Sequence, residues 1–454
     1  MIMKTKIRQI LILILISLFP SLVSAQEIKL ITCIDSALAN KGNIQAVRTE
    51  IEIAKLQTSA AYLRYLPDLA LSYNYRYNAI IPSQIIPVGQ FNPVPTDEKR
   101  PIKFGTTWQQ NSGISLYQPI IDFSIKSRVE ESRINEKLKN VDAAAAEKDL
   151  IMEVITSYTN IWLNEEQLRS SALDTLRTFN TKELVMARSE EGKVMKTEVN
   201  TAVLNHNNAL SNYHAASSSL TGEKIYMSFL TGIPLETLLD NEFDFSLFSD
   251  GLLDITHSRT VPDSIPSVKN LKLKTELLEQ QMRSERMNKI PTIGFEGFLG
   301  ANQYTDTFDP FESDKWYGSS YLGFSLRFRI LSGNSTMNRV NQLKLETQGV
   351  KSKLNDEIRL ISNQALRLAE EIRQLKYQAD ITRQNISLYE ENIDLSRERY
   401  EEGQINAYDL LAYEIDLQKE ISKYSEKQAE LIYKQIELID ISGSISELIK
   451  SLKK

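Results

Sequence analysis

"YEEGQINAYDLLAYE", residues 400–414, interrupts a stretch of more than a hundred residues that contains no proline. Upstream of it Leu354, Ile358, Ile361, Ala365, Leu368, Ile372, Leu375, Ala379, Thr382, Ile386, Tyr389, Ile393, Ser396 and Tyr400 recur at alternating spacings of four and three. Only Thr382 and Ser396 break the apolar character of that stripe, and a repeat of this kind makes a coiled-coil seam on a helix expected over about 334–402. At 1.5 Å per residue, ~68 residues form a rod of ~100 Å, far longer than an ordinary globular helix. A rod that ends at Gly403 and restarts at Asn406 buries its seam by doubling back. "EEG" therefore reads as the tip of a helical hairpin.

One comparable interruption, "RSEEGKVMKTEVNTA" around Gly192, lies 211 residues earlier. All thirteen prolines fall at or before Pro310 and none lies between Pro119 and Pro234, which leaves two long blocks free of the strongest helix breaker. Each block follows the same prelude of helix, proline, alternating segment, loop and second alternating segment. "RYLPDLALSYNYRY" corresponds to "NKIPTIGFEGFLG", and "GISLYQPI" to "GFSLRFRI". Pro67 and Pro291 are 224 apart, Gly113 and Gly323 are 210 apart, and Gly232 and Gly443 are again 211 apart.

The chain thus reads as an internal duplication. Residues 26–232 form the first copy, with strands about 68–77 and 108–118 and a tip at 192. Residues 266–443 form the second, with strands about 292–300 and 317–330 and a tip at 403. A linker, 233–265, joins them, and 444–454 is a tail. The copies differ mainly in the first loop, which carries Pro82, Pro87, Pro93, Pro95 and Pro101. The heptad frame does not transfer, because a shift of 211 lands on Glu147 and Lys182. The register of the first long helix stays open.

In "YLGFSLRFRI" Leu322, Phe324, Leu326, Phe328 and Ile330 alternate with Gly323, Ser325, Arg327 and Arg329, the period-2 pattern of a strand between apolar and polar surroundings. Leu69, Leu71, Tyr73, Tyr75 and Tyr77 alternate likewise with Ala70, Ser72, Asn74 and Arg76. Two readings fit: membrane strands with a tyrosine girdle, or the antiparallel sheet of a soluble domain. On the first, Tyr73, Tyr75, Leu322, Phe324, Leu326 and Phe328 face lipid, while Arg327 and Arg329 face the lumen or solvent. Four strands leave their edges unpaired in lipid, so copies must share a barrel. Two copies give the smallest known size, about eight strands, and three give a lumen wider than side chains fill.

The N-terminus sets the compartment. Lys4, Lys6 and Arg8 precede the apolar run "ILILILISLF", Pro20 and the small-residue site Val23-Ser24-Ala25, which reads as a signal peptide over 1–25 rather than a membrane anchor. The formal net charge of −6 becomes −9 after cleavage, and no basic block points to nucleic acid. The single cysteine, Cys33, forms no internal disulfide. Three histidines, His206, His214 and His257, stand without carboxylates at metal spacing, so no catalytic, metal or cofactor site is expected. Phosphate-binding glycine motifs are missing, so any transport energy comes from a partner.

The repeated order of helix, two strands and long helical hairpin, with "CIDSALANKGNIQ", "YLPDLALSYNY", "GISLYQPI", "YEEGQINAYDLLAYE" and "LIDISG", resembles the TolC-type outer-membrane efflux proteins over nearly the whole mature chain. The resemblance implies a mainly α fold in which a homotrimer builds a twelve-stranded β-barrel in the outer membrane and an α-helical barrel reaching into the periplasm. It also implies a duct closed at its helical tips until a periplasmic adaptor and an inner-membrane pump engage it. The contacting tips are then Gly192, Lys193, Val194, Gly403 and Gln404. A soluble periplasmic coiled-coil scaffold or adaptor is the alternative.

Carried over by position, the resemblance places an acidic gate residue six positions after each tip glycine, Asp409 and Glu198, and a linking tyrosine at Tyr400 that bonds Glu198 of the neighbouring tip. Two departures stand out: Ile405 replaces a linking arginine, and Ala412 replaces a second aspartate. Asn406 and Asp409 also read as an ordinary helix cap, and Tyr400 as the last member of the apolar stripe. Glu198 resists the capping explanation, because Met195 precedes its helix. The acidic segment from Glu236 to Asp254 is either an outer belt or a solvated linker.

Overall fold

The computed structural model describes residues 27–87, 97–246, 265–310, 316–328 and 335–453. The expected signal peptide, Arg329, Ile330, His257 and most of the expected linker fall outside them. In chain order the elements are α1 (Leu30–Asn40), α2 (Gly42–Leu63), β1 (Asp68–Tyr77), β2 (Ser83–Ile86), β3 (Arg100–Lys103), β4 (Trp108–Ile121), α3 (Phe123–Glu190) and α4 (Lys196–Thr231). They continue with α5 (Leu235–Asp240), α6 (Pro266–Met287), β5 (Thr292–Thr305), β6 (Trp316–Arg327), α7 (Ser335–Glu401), α8 (Ala407–Ser442) and α9 (Ile445–Leu452). The chain forms two compact units that cut across both sequence copies. One comprises the residues up to Arg48, Asp142–Lys269 and Asn355–Lys454; the other comprises Thr49–Val141 and Asn270–Leu354.

The second unit holds an antiparallel sheet of order β1-β4-β5-β6. Its central pair joins the two copies, Gly113 opposite Gly300, so each copy supplies half of the four-stranded sheet. The Phe298 ring lies over both glycines. A Cβ on Gly113 would stand 2.4 Å from the Phe298 ring, which is why this crossing tolerates no side chain. β5 runs beyond the expected 300 to Thr305, and β4 beyond 118 to Ile121, with a bulge between Pro119, which has no N–H to give the ladder, and Ile121. β6 ends at Arg327, opposite Thr292, where β5 begins after Pro291. Phe328 therefore lies one residue past the strand instead of within it. The proline-rich first loop contains a short hairpin, β2 with β3, that the periodicity did not show.

Register puts Leu69, Leu71, Ile114, Leu299, Leu322, Phe324 and Leu326 on one face, each 49–78% exposed. Tyr73 and Tyr75 share that face. Tyr73 is exposed and donates a 2.7 Å hydrogen bond to Gln110, whereas Tyr75 is half-buried, stacked 5.1 Å from Trp108 and edge-on to Phe308. Arg76, Asn111, Asn302 and Arg327 lie on the opposite face. β1 and β6 each lack a partner on their outer side among the described residues.

In the first unit every member of the α7 stripe from Ile358 to Tyr400 is buried or half-buried, Thr382 and Ser396 included. The seam of α3 explains why its register was illegible. Ser171, Thr178 and Thr181 are buried there, and the hydroxyls of Ser171 and Thr178 bond the carbonyls of Gln167 and Asp174 one turn back. Those bonds satisfy the hydroxyls inside the helix, so a polar seam packs without appearing apolar in sequence. The main core gathers Cys33, Ile34, Tyr158, Met227, Leu230, Leu238, Ile439 and Leu448. The Tyr158 hydroxyl lies 2.6 Å from the carbonyl of Asp244 and 2.9 Å from that of Ile28, beside the short parallel bridge of Ile28 with Phe243. Cys33 is fully buried here.

Candidate gate at the helical tips

The two hairpins end alike. Gly192 and Gly403 take φ of +71° and +76°, in the left-handed region that glycine enters without a Cβ clash. Gly192 N–H donates to Ser189 and Lys193 N–H to Arg188; Gly403 N–H donates to Tyr400 and Gln404 N–H to Arg399, all at 2.8–3.0 Å. These bonds satisfy the last carbonyls of α3 and α7 and reverse the chain. The next apolar residues, Val194 and Ile405, fold back onto a small cluster of Val185, Ala202, Tyr400 and Leu410. One residue from each of α3, α4, α7 and α8 makes that cluster, so it fastens the two hairpins together.

Tyr400 is 1% exposed and its hydroxyl has no hydrogen-bond partner among the described residues. Within one chain the Tyr400 hydroxyl does not reach Glu198; the expected link is to the neighbouring tip of the assembled gate. Burial pushes the phenol pKa up, the Arg188 guanidinium beside it opposes that, and Glu198 adds to it. Glu198 is occupied otherwise: its carboxylate accepts the Met195 N–H at 3.5 Å, at the start of its own helix. A methionine before the helix therefore does not rule out capping, because the carboxylate three residues on reaches back. Asp409 is exposed, with no hydrogen bond or ion pair to its carboxylate among the described residues, while its N–H donates to the Asn406 side chain at 3.0 Å. Both the capping of α8 and a free Asp409 carboxylate are thus present. Lys193 pairs with Glu191 at 2.7 Å, and Gln404 bonds Glu402.

Two residues escaped the sequence reading. Arg188 of α3 caps α7 from the other hairpin: it donates to the carbonyls of Tyr400 and, at 2.8 Å, Glu401, with its guanidinium 4.4 Å over the Tyr400 ring. It supplies within one chain a polar link that Ile405 cannot. Its position four residues before Gly192 is the only sequence signal it gave. Glu414 of α8 is 2% exposed and accepts the Thr181 hydroxyl at 2.7 Å. A carboxylate between Leu410 and Leu417, at seam spacing, was a legible anomaly.

His206 is half-buried, 3.4 Å from the Thr178 hydroxyl and edge-on to Phe179, and His214 packs on Tyr213. His206 is thus less open than an exposed helix histidine. No metal-holding cluster occurs among the described residues.

The family model described as outer membrane efflux protein matches residues 33–232 and 263–444. The alkaline protease secretion protein AprF of Pseudomonas aeruginosa is 20% identical over 369 residues, 80% of this chain and 72% of that protein. Among solved structures, the outer membrane protein VceC of Vibrio cholerae superposes with a TM-score of 0.72 at 13% identity, covering 91% of this chain and 96% of VceC. The open state of the MtrE outer membrane channel of Neisseria gonorrhoeae gives 0.69 at 16% identity, covering 91% and 88%.

Proposed function

This chain belongs to the outer membrane efflux protein family and is an outer-membrane exit duct for efflux or secretion, and we propose that it works as a passive homotrimer gated at its helical tips. One observation carries the proposal: a four-stranded sheet with an exposed apolar face ends in two edges, β1 and β6, unpartnered among the described residues. In hydrocarbon each unpaired N–H or C=O costs several kcal/mol. Three copies pairing β6 to β1 close a ring of twelve strands and remove every edge.

In that ring Tyr73, Leu322, Phe324 and Leu326 face lipid, and Arg76 and Arg327 face the lumen. Three Asp409 carboxylates then stand around the axis, where their combined field favours cations. Nothing in the described residues resembles an energy-transducing site, so a periplasmic adaptor at the tips and an inner-membrane pump supply the work. Light scattering of the detergent-extracted, processed protein tests the reading, with a trimer expected. A water-soluble monomer recovered from the periplasm would return the chain to the scaffold class.

A further inference from the structure

Glu414 stands eleven residues past Gly403, at a position of α8 where the seam is otherwise Leu410, Leu417 and Ile432. A carboxyl placed there loses its hydration and needs partners to offset the loss. Oε1 has one hydrogen-bond partner, the Thr181 hydroxyl of α3; Oε2 has none among the described residues. The charged neighbours are few and badly placed. From α3 come Arg177 and Asp174, already paired with each other, the Arg177 Nε being buried without a partner. From α7 comes Arg397, 3.9 Å away and 40% exposed. On α8 itself Lys419 lines the same cavity of about 320 Å³, and α4 contributes asparagines and no charge, with His206 nearby on Thr178.

We propose that Glu414 is a proton-operated latch between the two hairpins of one subunit, holding α8 against α3 when neutral and weakening that contact when ionised. The physical asymmetry is that separation of the hairpins lets water reach the carboxylate, whereas the packed state offers it one hydroxyl and an open-sided arginine. Burial raises the Glu414 pKa in the packed state, and Thr181, Arg177 and Arg397 only partly offset that. The separated state returns toward the ordinary carboxylate value of about 4.3. Protons therefore bind the packed state more tightly. The latch is fully engaged below the ordinary value and loosens as pH rises through the raised one. This device is separate from the tip carboxylates, and it acts inside one chain, whatever the number of chains in the barrel.

Hydrogen exchange of the full-length protein in nanodiscs, corrected for intrinsic rates at about pH 5 and about pH 7.5, tests it. Amides of α3 around Thr181 and of α8 around Glu414 should become more protected on acidification, by at most ~10-fold per pH unit. Glu414→Gln, which keeps the shape and removes the titration, should hold the protected level at both pH values. Asp409→Asn, Glu198→Gln and His206→Gln should keep the wild-type pH profile. Thr181→Val strips the last partner from a still-buried carboxyl and should move the midpoint upward, which provides a reading if the Gln variant does not fold. A Glu414→Gln profile identical to wild type, loss of the profile in any of the three control variants, or an unmoved midpoint in Thr181→Val would each overturn the latch. A monomeric preparation leaves the test intact, since both hairpins belong to one chain.

Discussion

The guanidinium of Arg188 lies over the ring of Tyr400 while its N–H groups reach the carbonyls of Tyr400 and Glu401. One side chain thereby closes the end of a helix in the other hairpin, using both its charge and its flat face. Because the two hairpins are 212 residues apart at this contact, the pairing is wholly tertiary.

Arg188→Ala should open the tips. Hydrogen bonds from a charged donor are worth about 1.5–3 kcal/mol, and the cation–π contact adds to that. Single-channel recording in planar bilayers should show a higher conductance or longer open dwell than wild type. Arg188→Lys should recover little, since an ammonium cannot bond two carbonyls and stack at once. Unchanged conductance in Arg188→Ala would remove the residue from closure.

At the start of α8 the cap and the carboxylate can be separated. Asn406→Ala should cost ~1 kcal/mol of stability by freeing the Asp409 N–H, with little change in ion preference. Asp409→Asn should do the reverse, leaving the melting temperature nearly unchanged and reducing cation selectivity in reversal-potential measurements. Equal effects of both changes on selectivity would argue that the cap, and not the charge, is at issue.

In the sheet, Gly113→Ala drives a methyl into the Phe298 ring. Overpacking of this kind costs about 1–3 kcal/mol, and here it acts on the strand pair that joins the two sequence copies. Reduced recovery of folded, heat-resistant oligomer on gels is expected, with partial rescue by Phe298→Leu. Wild-type recovery would show that the ring moves aside freely.

Cys33 gives a probe of the helical core. Its burial pushes the thiol pKa up to about 12. The unfolded thiol ionises near 8.5, so between those values the unfolded state loses its proton first. Stability should then fall by about 1.4 kcal/mol per pH unit as pH rises through that window, and be unaffected by this group below it. Maleimide labelling at about pH 8 should be slow in the native protein and fast after denaturation. Rapid native labelling would contradict the burial of α1.

The long seam of α7 was readable because apolar side chains mark a buried stripe directly, from Leu354 to Tyr400. The α3 seam was not, since Ser171 and Thr178 bury hydroxyls whose bonds run back along their own helix, and Thr181 buries one that bonds Glu414 of α8. At the tips the glycines and Asn406 announced themselves through local backbone chemistry. Arg188 did not, and Glu414 showed only as a carboxylate at seam spacing, because their partners come from the other hairpin.

The sequence by itself determined the duplication, the two reversals at Gly192 and Gly403, and the alternation that gives the sheet one apolar face. These depend on periodicity and on backbone freedom, which act over a few residues. Only the tertiary structure decided that Tyr400 sinks under Arg188, that β4 of one copy pairs with β5 of the other, and that Glu414 sits in a seam with one hydrogen-bond partner among the described residues. Those outcomes turn on which side chain reaches a buried site first and on what remains to satisfy it, and that depends on elements hundreds of residues apart being packed together.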